Sequence, residues 1–387
     1  MFSRHAARKL LAPLPCLLAL AVTLSLAVFA PKRAFAATSA PELTEAQAAI
    51  ITDQAGNVLW ELNADEQLAP ASITKIMSAM VALDAGIPLG TVCSIQEYDL
   101  GVDSQSVGYT SADTPTLEEL LLAMLVYSGN DAAANIAYNV SGSTSAFVQL
   151  MNQKALELGM THTHFANPHG LEEDGHYTTA RDLVIMGRYA MEHYPFIAAA
   201  VRNDSVEVTV GGSSFYLPST DELMPVYECL LGIKTGAVAA GTTFLGASQQ
   251  GDVALYSCVL GCATDWGRFE DTRILMDWAY ESFDDHVVVG KDWTVRLAPY
   301  ALCFSQKCRI GVTDDATTSL WPSQPSPTSS TAYASYGLPV DVGDVVGVVY
   351  QRQDGRLAGG NGIVALEPAA IPSVNPFALS LFEGAAS

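Results

Sequence analysis

Ser72 and Lys75 are the first residues along the chain whose types and spacing could do chemistry. Residues three apart on a helix lie on the same face, so the lysine amine can reach the serine hydroxyl. A serine alcohol is a poor nucleophile unless a neighbouring base takes its proton. Lysine can act as that base where burial or a second cation lowers its pKa. By itself the pair also fits a helix cap followed by a surface lysine.

Two further motifs follow along the chain: Ser128-Gly129-Asn130, at the predicted end of a helix, and Lys234-Thr235-Gly236, at the predicted end of an apolar strand. Each alone has a structural explanation, because turns end helices and polar residues end strands. Together the three motifs supply a nucleophile, a base, a cation and hydrogen-bonding groups, which are the parts of an acyl-transfer site. Their joint occurrence therefore predicts one catalytic site.

A hairpin and a buried helix are predicted around the first motif. Apolar runs on both sides of a Gly/Asn turn at 53–57 predict the hairpin. A helix is predicted to begin near Pro70, and its apolar residues recur at helical spacing. The first motif is thus expected to lie at the start of a central helix.

The other two motifs fall beside a second helix and within a meander of strands. A capping box at Thr116–Glu119 predicts the start of the helix, which is expected to run to Tyr127 and to stop at Gly129. Three strands are predicted at 230–233, 242–248 and 253–260. A further helix is predicted at 268–283.

This order of elements predicts two domains. Helices, an antiparallel meander and a helix that packs back on it indicate an α+β domain over residues 40–285. Short β-branched runs predict a small β-rich domain over 287–368, followed by a tail at 369–387. Pro and Ser residues at 322–330 predict a flexible loop inside the second domain.

The beginning of the chain predicts export. Basic residues, an apolar run over 10–30 and a small-x-small site at Ala34–Ala36 predict a signal peptide of residues 1–36. The apolar run is long enough to span a bilayer, so an uncleaved anchor is the alternative, and the cleavage site favours the signal peptide. The protein is therefore expected in the cell envelope, outside the cytoplasm.

The charge of the chain argues against a nucleic-acid partner. Removing residues 1–36 takes away five basic and no acidic residues, so the formal charge moves from −22 to −27. A chain this acidic is repelled by nucleic acid and by anionic membrane surfaces. The charge is consistent with solubility outside the cell.

Six cysteines follow the predicted signal peptide, and an exported chain can pair six cysteines in fifteen ways. Cys258 and Cys262 cannot bond to each other if they share one strand, because the separation along the strand is too large. Cys303 and Cys308 could close a hairpin. All six are interpreted as structural.

The three motifs, in this order, resemble the signature of penicillin-binding proteins and class A β-lactamases. Segments Phe165–Leu171, His176–Leu183 and Arg268–Asp271 narrow the resemblance to the low-molecular-mass penicillin-binding proteins that are serine-type D-alanyl-D-alanine carboxypeptidases. The resemblance covers residues 45–285, and the strand-rich remainder is similar to that family's C-terminal domain more loosely. It implies a β-lactamase/transpeptidase-like domain, with an antiparallel sheet flanked by helices, followed by a small β-rich domain.

The resemblance implies a serine D,D-carboxypeptidase that removes the terminal D-alanine from peptidoglycan pentapeptide stems. Ser72 would form the acyl-enzyme, Lys75 would accept its proton, and Ser128 would relay a proton to the departing amine. The implied partners are stem peptides that end in D-Ala–D-Ala, with β-lactams as covalent inhibitors. No metal and no other cofactor is expected.

The remaining motif residues and one neighbour have implied substrate-binding roles: Asn130, Lys234, Thr235, Gly236 and Ala237. Lys234 and Thr235 would hold the terminal carboxylate, and Asn130 would orient the catalytic lysine or the substrate amide. Gly236 would let the substrate backbone approach the strand edge. The backbone N–H groups of the nucleophile and of Ala237 would form the oxyanion hole.

Two stretches depart from the family pattern. Ala237–Ala240 is small and apolar where the family usually has a polar residue and an acidic stretch, which bears on substrate preference and rate. Residues 376–382 contain no Lys or Arg where the family often ends in a basic amphipathic helix. Membrane attachment through this segment is therefore not expected.

Three other functions fit part of the sequence. A class A-type β-lactamase needs a carboxylate that activates water, and Glu172 and Glu173 lie in the right interval, but their context matches the peptidase segment. A metal-dependent peptidase could use the histidines within 162–176, but the chain has no His-Glu-x-x-His motif. A non-catalytic envelope binding or scaffold protein would have lost a motif residue, and none is lost.

Overall fold

The computed structural model describes residues 39–101, 104–251, 253–291, 294–297, 308–313, 315–321, 328–333, 341–353 and 356–368. The predicted signal peptide, the predicted tail, Cys303 and the Pro-rich part of the predicted loop at 322–330 lie outside these residues. No helix among the described residues combines the length and the apolar character needed to cross a membrane.

The described residues fall into two compact units: those within Ala34–His286 and Ser319–Gln324, and those within Val287–Thr318 and Pro325–Ser387. The elements up to α7 are, in chain order, β1 (Ala48–Asp53), β2 (Val58–Leu62), α1 (Thr74–Asp84), α2 (Leu117–Leu125), α3 (Asn130–Ser141), α4 (Thr144–Glu157), α5 (Ala180–His193), α6 (Pro195–Ala200), β3 (Ser205–Val210), β4 (Ser213–Pro218), β5 (Leu230–Val238), β6 (Gly241–Gln250), β7 (Val253–Cys262) and α7 (Asp265–Ser282). A 3-10 turn, Ala71–Ile73, directly precedes α1. Five strands form one antiparallel sheet in the order β2-β1-β7-β6-β5, and β3 and β4 form a separate hairpin.

Both faces of the five-stranded sheet are buried, as the alternation along β1 shows. Ala48 and Ile50 pack into one apolar cluster with side chains of α1 to α5. Ala49 and Ile51 pack into a second cluster with side chains of α7. Successive side chains of a strand point to opposite faces, so helices must cover the sheet on both sides. The predicted α+β fold, an antiparallel sheet flanked by helices, is confirmed.

Helix α1 lies inside this unit, because nine of its 11 residues are buried. Three of the buried residues are polar: Thr74, Lys75 and Ser78. Buried polar groups require hydrogen-bond partners, and Ser78 finds one by donating to the carbonyl oxygen of Pro168 at 2.6 Å. The polar residues of α1 therefore tie the helix to the loop that follows α4.

Side chains cap the starts of several helices. Thr116 accepts a hydrogen bond from the backbone N–H of Glu119 at 3.2 Å, as the capping box predicted. The helix that it caps ends at Leu125, however, and the prediction that it runs to Tyr127 and stops at Gly129 was wrong. Gly129 instead directly precedes α3, because the chain turns through Ser128, which has a φ of +69°, and a new helix begins at Asn130.

The third motif lies in the interior of β5, where the sequence predicted a strand end. Pairing with β6 runs through Lys234, opposite Leu245, and Gly236, opposite Thr243, and it ends only at Val238. A tight turn joins Val238 to Gly241, so β5 and β6 stay paired up to that turn. The polar residues of the motif therefore still take part in the backbone pairing of the two strands. Cys258 and Cys262 share β7, and neither forms a disulfide bond.

The C-terminal part of the chain is rich in strands. They are β8 (Asp284–Val289), β9 (Thr294–Leu297), β10 (Cys308–Gly311), β11 (Ala316–Leu320), β12 (Thr328–Tyr333), β13 (Val345–Gln353) and β14 (Arg356–Ala365). Five of them form an antiparallel sheet in the order β12-β13-β14-β10-β9. Ile310, Val349 and Ile363 are buried in it. The predicted β-rich C-terminal region is confirmed.

Candidate active site

The amine of Lys75 has three hydrogen-bond partners. Its Nζ lies 2.7 Å from Oγ of Ser72, 2.6 Å from Oδ1 of Asn130 and 2.7 Å from the carbonyl oxygen of His169. The lysine is fully buried, so these three partners replace the water that an exposed amine would have. The structure thus brings residues of the first and second motifs together around one nitrogen atom.

These partners fit a neutral amine. A neutral lysine has two N–H donors and one lone pair, and the amide oxygen of Asn130 and the carbonyl oxygen of His169 can only accept. The hydroxyl of Ser72 accepts from a charged ammonium and donates to the lone pair of a neutral amine, so in the neutral form the lone pair is directed to the Ser72 proton. In this arrangement the serine is bound directly to the base that activates it.

The surroundings of Lys75 favour that neutral form. Its pKa lies well below the usual lysine value, first because the amine is buried and second because Lys234 places a positive charge nearby. The negative charge of Asp131 opposes this shift only in part. A buried base with a depressed pKa can accept a proton near neutral pH.

Close backbone approaches hold Ser72 in place from two sides. Ala71 has a φ of +49°, a region that costs a non-glycine residue about 1–3 kcal/mol. A Cβ on Gly236 would lie 3.0 Å from the backbone nitrogen of Ser72, so β5 runs directly beside the nucleophile. Gly170 has a φ of +91°, and a Cβ there would clash with the carbonyl oxygen of Ala71. Glycine is required at both positions because backbone passes so near to backbone.

Gly170→Ala is expected to destabilise the protein and to slow acylation of Ser72. The new methyl group must displace the backbone of Ala71 from a left-handed position, which is expected to lower the free energy of unfolding by about 2 kcal/mol or more. Denaturant unfolding and the rate of penicillin labelling measure the two effects. Gly90→Ala is the control, because a Cβ on Gly90 meets nothing within 4 Å. Equal stability of the two variants would contradict the close approach.

His176 fastens the loop that carries His169. Its Nδ1 accepts from the backbone N–H of Ala166 at 2.9 Å, and its Nε2 lies 2.9 Å from Oγ1 of Thr74. Because Nδ1 accepts, the neutral ring donates from Nε2 to Thr74. Burial is the main cause that lowers the pKa of His176 to about 4, which keeps the ring neutral. His176 therefore serves the loop. Among the described residues, no group of His, Cys, Asp and Glu that could hold a metal ion occurs.

Lys234 and Thr235 lie beside a second set of buried charges. The ammonium of Lys234 donates a single hydrogen bond within the described part of the chain, to the carbonyl oxygen of Thr235 at 3.3 Å. Burial, followed by the charge of Arg268, lowers the pKa of Lys234 to about 7. The hydroxyl of Thr235 lies 2.6 Å from that of Thr220. A buried cation with so few partners is suited to an incoming anion.

Arg268 ties α7 to this part of the site. Its Nη1 donates to the carbonyl oxygen of Gly236 at 2.8 Å. Asp221 is buried next to these cations, and burial raises the pKa of its carboxyl group. In the sequence, Arg268 stands out only as part of the segment Arg268–Asp271. Nothing in the spacing marks Asp221 or Thr220, because their proximity to β5 arises only in the fold.

The two carboxylates weighed for a β-lactamase have other partners. Oε1 of Glu172 accepts from the backbone N–H of Ala240 at 3.0 Å. Oε2 of Glu173 accepts from Nδ2 of Asn167 at 2.9 Å. Both residues are exposed. Glu172 joins the loop after Gly170 to the turn between β5 and β6, and Glu173 binds a side chain that precedes Gly170.

A serine that is hydrogen-bonded to a buried lysine, and a second buried lysine on the strand that passes the nucleophile, define the site of a serine acyl-transfer enzyme. The sequence model of the family described as D-alanyl-D-alanine carboxypeptidase matches residues 34–264. The chain belongs to this family of serine hydrolases.

Individual relatives agree with the family match. The chain is 31% identical to D-alanyl-D-alanine carboxypeptidase DacF of Bacillus subtilis over 257 residues, 65% of this chain and 66% of DacF. It is 33% identical to DacC of Escherichia coli over 283 residues, 69% of each chain. The match to these two relatives thus spans about two thirds of their length.

Solved structures share the fold. Penicillin-binding protein 5 of Haemophilus influenzae superposes with a TM-score of 0.62 at 24% identity and covers 86% of this chain and 100% of its own. Penicillin-binding protein D2 of Listeria monocytogenes, in its ampicillin-bound form, has a TM-score of 0.56 at 29% identity and covers 62% of this chain and 100% of its own.

Proposed function

We propose that the protein removes the terminal D-alanine from peptidoglycan pentapeptide stems, through an acyl-enzyme on Ser72. The observation that carries this proposal is the contact of Nζ of Lys75 with Oγ of Ser72 at 2.7 Å, inside a buried site whose other two lysine partners can only accept. Family membership and the relatives named D-alanyl-D-alanine carboxypeptidase support the substrate class.

We propose an acylation step that the contact between Nζ of Lys75 and Oγ of Ser72 supports. Oγ of Ser72 attacks the carbonyl carbon between the two D-alanines while Lys75 takes the hydroxyl proton. The C–N bond then breaks, and the proton passes to the departing D-alanine nitrogen from Lys75 by way of Ser128, which is buried at the start of the turn before α3. Water later attacks the ester, and Lys75 accepts the water proton, so the serine is regenerated.

The negative oxygen that forms during this attack needs donors. We assign the backbone N–H groups of Ser72 and Ala237 to this role. The closeness of Gly236 to the Ser72 nitrogen supports the pairing, because Ala237 is the next residue of the same strand. Substitution of Ala237 leaves its backbone donor in place, so side chains at this position are expected to affect preference more than the chemistry.

The terminal carboxylate of the substrate is proposed to bind Lys234 and the hydroxyl of Thr235. Lys234 is a buried cation that donates one long hydrogen bond to the residues that the structure describes, so a carboxylate would give it a charged partner. Penicillins carry a carboxylate in the corresponding place, which makes β-lactams the expected covalent inhibitors. The ampicillin-bound form of the Listeria relative supports that expectation. The predicted signal peptide supports a location outside the cytoplasm.

The pH profile of kcat/KM is expected to be bell-shaped, with each limb set by one lysine. Lys75 must be neutral to accept a proton, so activity rises with pH through its lowered pKa. Lys234 must be charged to bind the carboxylate, so activity falls as pH rises above about 7. Peptide hydrolysis across the pH range measures both limbs. A profile that keeps rising well above neutral pH would contradict the role of Lys234.

Lys234→Ala is expected to lower kcat/KM about 10- to 100-fold for a peptide with a free terminal carboxylate, because a charge-assisted hydrogen bond is lost. The same peptide with an amidated terminus is expected to be a poor substrate of both enzymes, to a similar degree. Lys291→Ala, at an exposed lysine, is the control. Equal losses for both peptides would show that the mutation damages the site rather than the carboxylate contact.

The function is tested by D-alanine release from a diacyl-Lys-D-Ala-D-Ala peptide, with Ser72→Ala assayed alongside. Release by the wild type alone supports both the reaction and the nucleophile. A stable penicillin adduct on Ser72 without D-alanine release would point to another peptide bond or to an amine acceptor. Neither release nor adduct would overturn the proposal in favour of a non-catalytic binding protein.

A further inference from the structure

The carboxamide of Asn130 has a partner outside the three motifs. Its Nδ2 donates to Oγ of Ser104 at 2.7 Å, while its Oδ1 accepts from Lys75. Asn130 is only 3% exposed, so water does not replace either partner. The hydrogen-bonded chain therefore runs from Ser72 through Lys75 and Asn130 to Ser104, which lies 26 residues before Asn130 in the sequence.

Ser104 begins a stretch of chain, 104–109, that α3 holds. Three polar side chains of α3, spaced one helical turn apart, bind the described residues of the segment 94–109, which are 94–101 and 104–109: Asp131, Asn135 and Asn139. Asp131 accepts from the N–H groups of Val107, Gly108 and Tyr109, and the two asparagines bind the backbone of Gln96 and Ser94. The backbone N–H of Asn130 also donates to the carbonyl oxygen of Gln105 at 2.7 Å. The hydroxyl of Ser104 is thus presented to Asn130 from a fixed segment.

We propose that Ser104 is a positioning residue for the acylation step, whose hydroxyl holds the Asn130 carboxamide in the orientation that leaves the lone pair of Lys75 to Ser72. The proposal deepens, and rests on, the function proposed above. In this role Ser104 keeps Oδ1 of Asn130 facing the amine of Lys75. Ser104 itself does not contact the reacting atoms.

The reason lies in the two orientations open to a carboxamide. With Oδ1 towards Lys75, the amine donates to Asn130 and its lone pair remains free for the serine proton. If the carboxamide turns over, Nδ2 donates to that lone pair, and the base is no longer available. Removing the Ser104 hydroxyl leaves the buried Nδ2 without an acceptor. Turning the carboxamide pairs Nδ2 with the lone pair of Lys75 and leaves Oδ1 without a donor instead, and a buried carbonyl oxygen is left unpaired at less cost than a buried N–H.

The pH dependence distinguishes this role from a merely structural one. Charged or titratable groups face Lys75 from three elements: Lys234 on β5, Asp131 on α3, and His169 and His176 on the loop after α4. None of these groups changes when Ser104 is replaced. A turned carboxamide donates to the neutral amine of Lys75 and no longer accepts from the charged one, so it lowers the pKa of Lys75. The acid limb of the acylation rate therefore moves to lower pH. The plateau falls, because the lone pair of Lys75 is occupied.

The experiment compares Ser104→Thr with Ser104→Val in the full chain, because these two side chains have the same shape and differ in a hydroxyl. The rate of labelling by a fluorescent penicillin is measured across the pH range, with the thermal midpoint of unfolding. The valine variant is expected to lose about tenfold in the plateau rate and to show its acid limb at lower pH, while the threonine variant resembles the wild type. Ser94→Ala, an exposed serine in the same segment, is the control.

The outcomes separate the two proposals. Equal plateau rates and equal acid limbs for the threonine and valine variants overturn the role of Ser104 and leave the proposed function intact. A lower plateau for valine with an unmoved acid limb also overturns it, because that result indicates a structural effect. Failure of the wild type to label at all overturns the proposed function, and the role of Ser104 with it.

Discussion

Ser72→Ala is expected to abolish the covalent penicillin adduct and the release of D-alanine, while the thermal midpoint of unfolding stays within a few degrees of the wild type. The substitution removes the atom that forms the ester, and no bound base can restore it, so the rate is expected to fall by at least about 10⁴-fold. The fold is expected to survive, because Ser72 is partly exposed and its hydroxyl contacts only Lys75 among the hydrogen bonds of the described residues.

Intact-protein mass after incubation with penicillin measures the adduct, and a coupled assay measures D-alanine. Ser213→Ala, at an exposed serine of β4, is the control and should label like the wild type. An adduct of undiminished yield on the Ser72→Ala protein would identify another nucleophile and contradict the assignment.

Lys75→Ala is expected to reduce acylation almost as much as loss of the nucleophile. The hydroxyl of Ser72 then has no base, because the neighbouring acceptors, Oδ1 of Asn130 and the His169 carbonyl oxygen, do not take up protons at neutral pH. Lys75→Arg is expected to be equally inactive, since a guanidinium stays charged and cannot accept the proton. The two substitutions together separate the loss of a base from the loss of a positive charge.

Lys75→Ala is also expected to lower the free energy of unfolding. Alanine leaves two buried acceptors without a donor, which is expected to lower the free energy of unfolding by about 1–3 kcal/mol for each. Denaturant unfolding measures this cost, and penicillin labelling measures the activity. Acylation of Lys75→Ala at more than a tenth of the wild-type rate would show that another group serves as the base.

Much of the site could be predicted from the sequence, because its three motifs place chemically distinctive residues at element boundaries that local patterns reveal. The capping box at Thr116 and the meander of β5 to β7 followed from such patterns. The ends of the elements did not follow from such patterns. Gly129 resembles a helix stop, but it precedes a new helix, and β5 continues past Lys234 up to a tight turn.

The residues that the sequence did not reveal act through contacts between distant segments. Ser104 lies in a polar stretch with no periodic pattern, and its hydrogen bond to Asn130 exists only because α3 holds that stretch. His176 was quoted as part of a segment, and its contact with Thr74 joins residues 102 apart in sequence. Such pairs cannot be inferred from local spacing, since spacing indicates which element forms and not what it touches.

The way α3 holds the segment 94–109 has a consequence for how the enzyme can evolve. Asp131, Asn135 and Asn139 bind N–H and carbonyl groups of that segment, so these contacts do not depend on which side chains stand at 94, 96 and 107–109. Mutations at these positions can therefore change the chemical character of the surface next to Ser104 while the contacts of the chain with α3 are preserved. Natural selection or a designer could in this way adapt the enzyme to differently modified stem peptides, or to the side chains of new antibiotics, without rebuilding its catalytic centre.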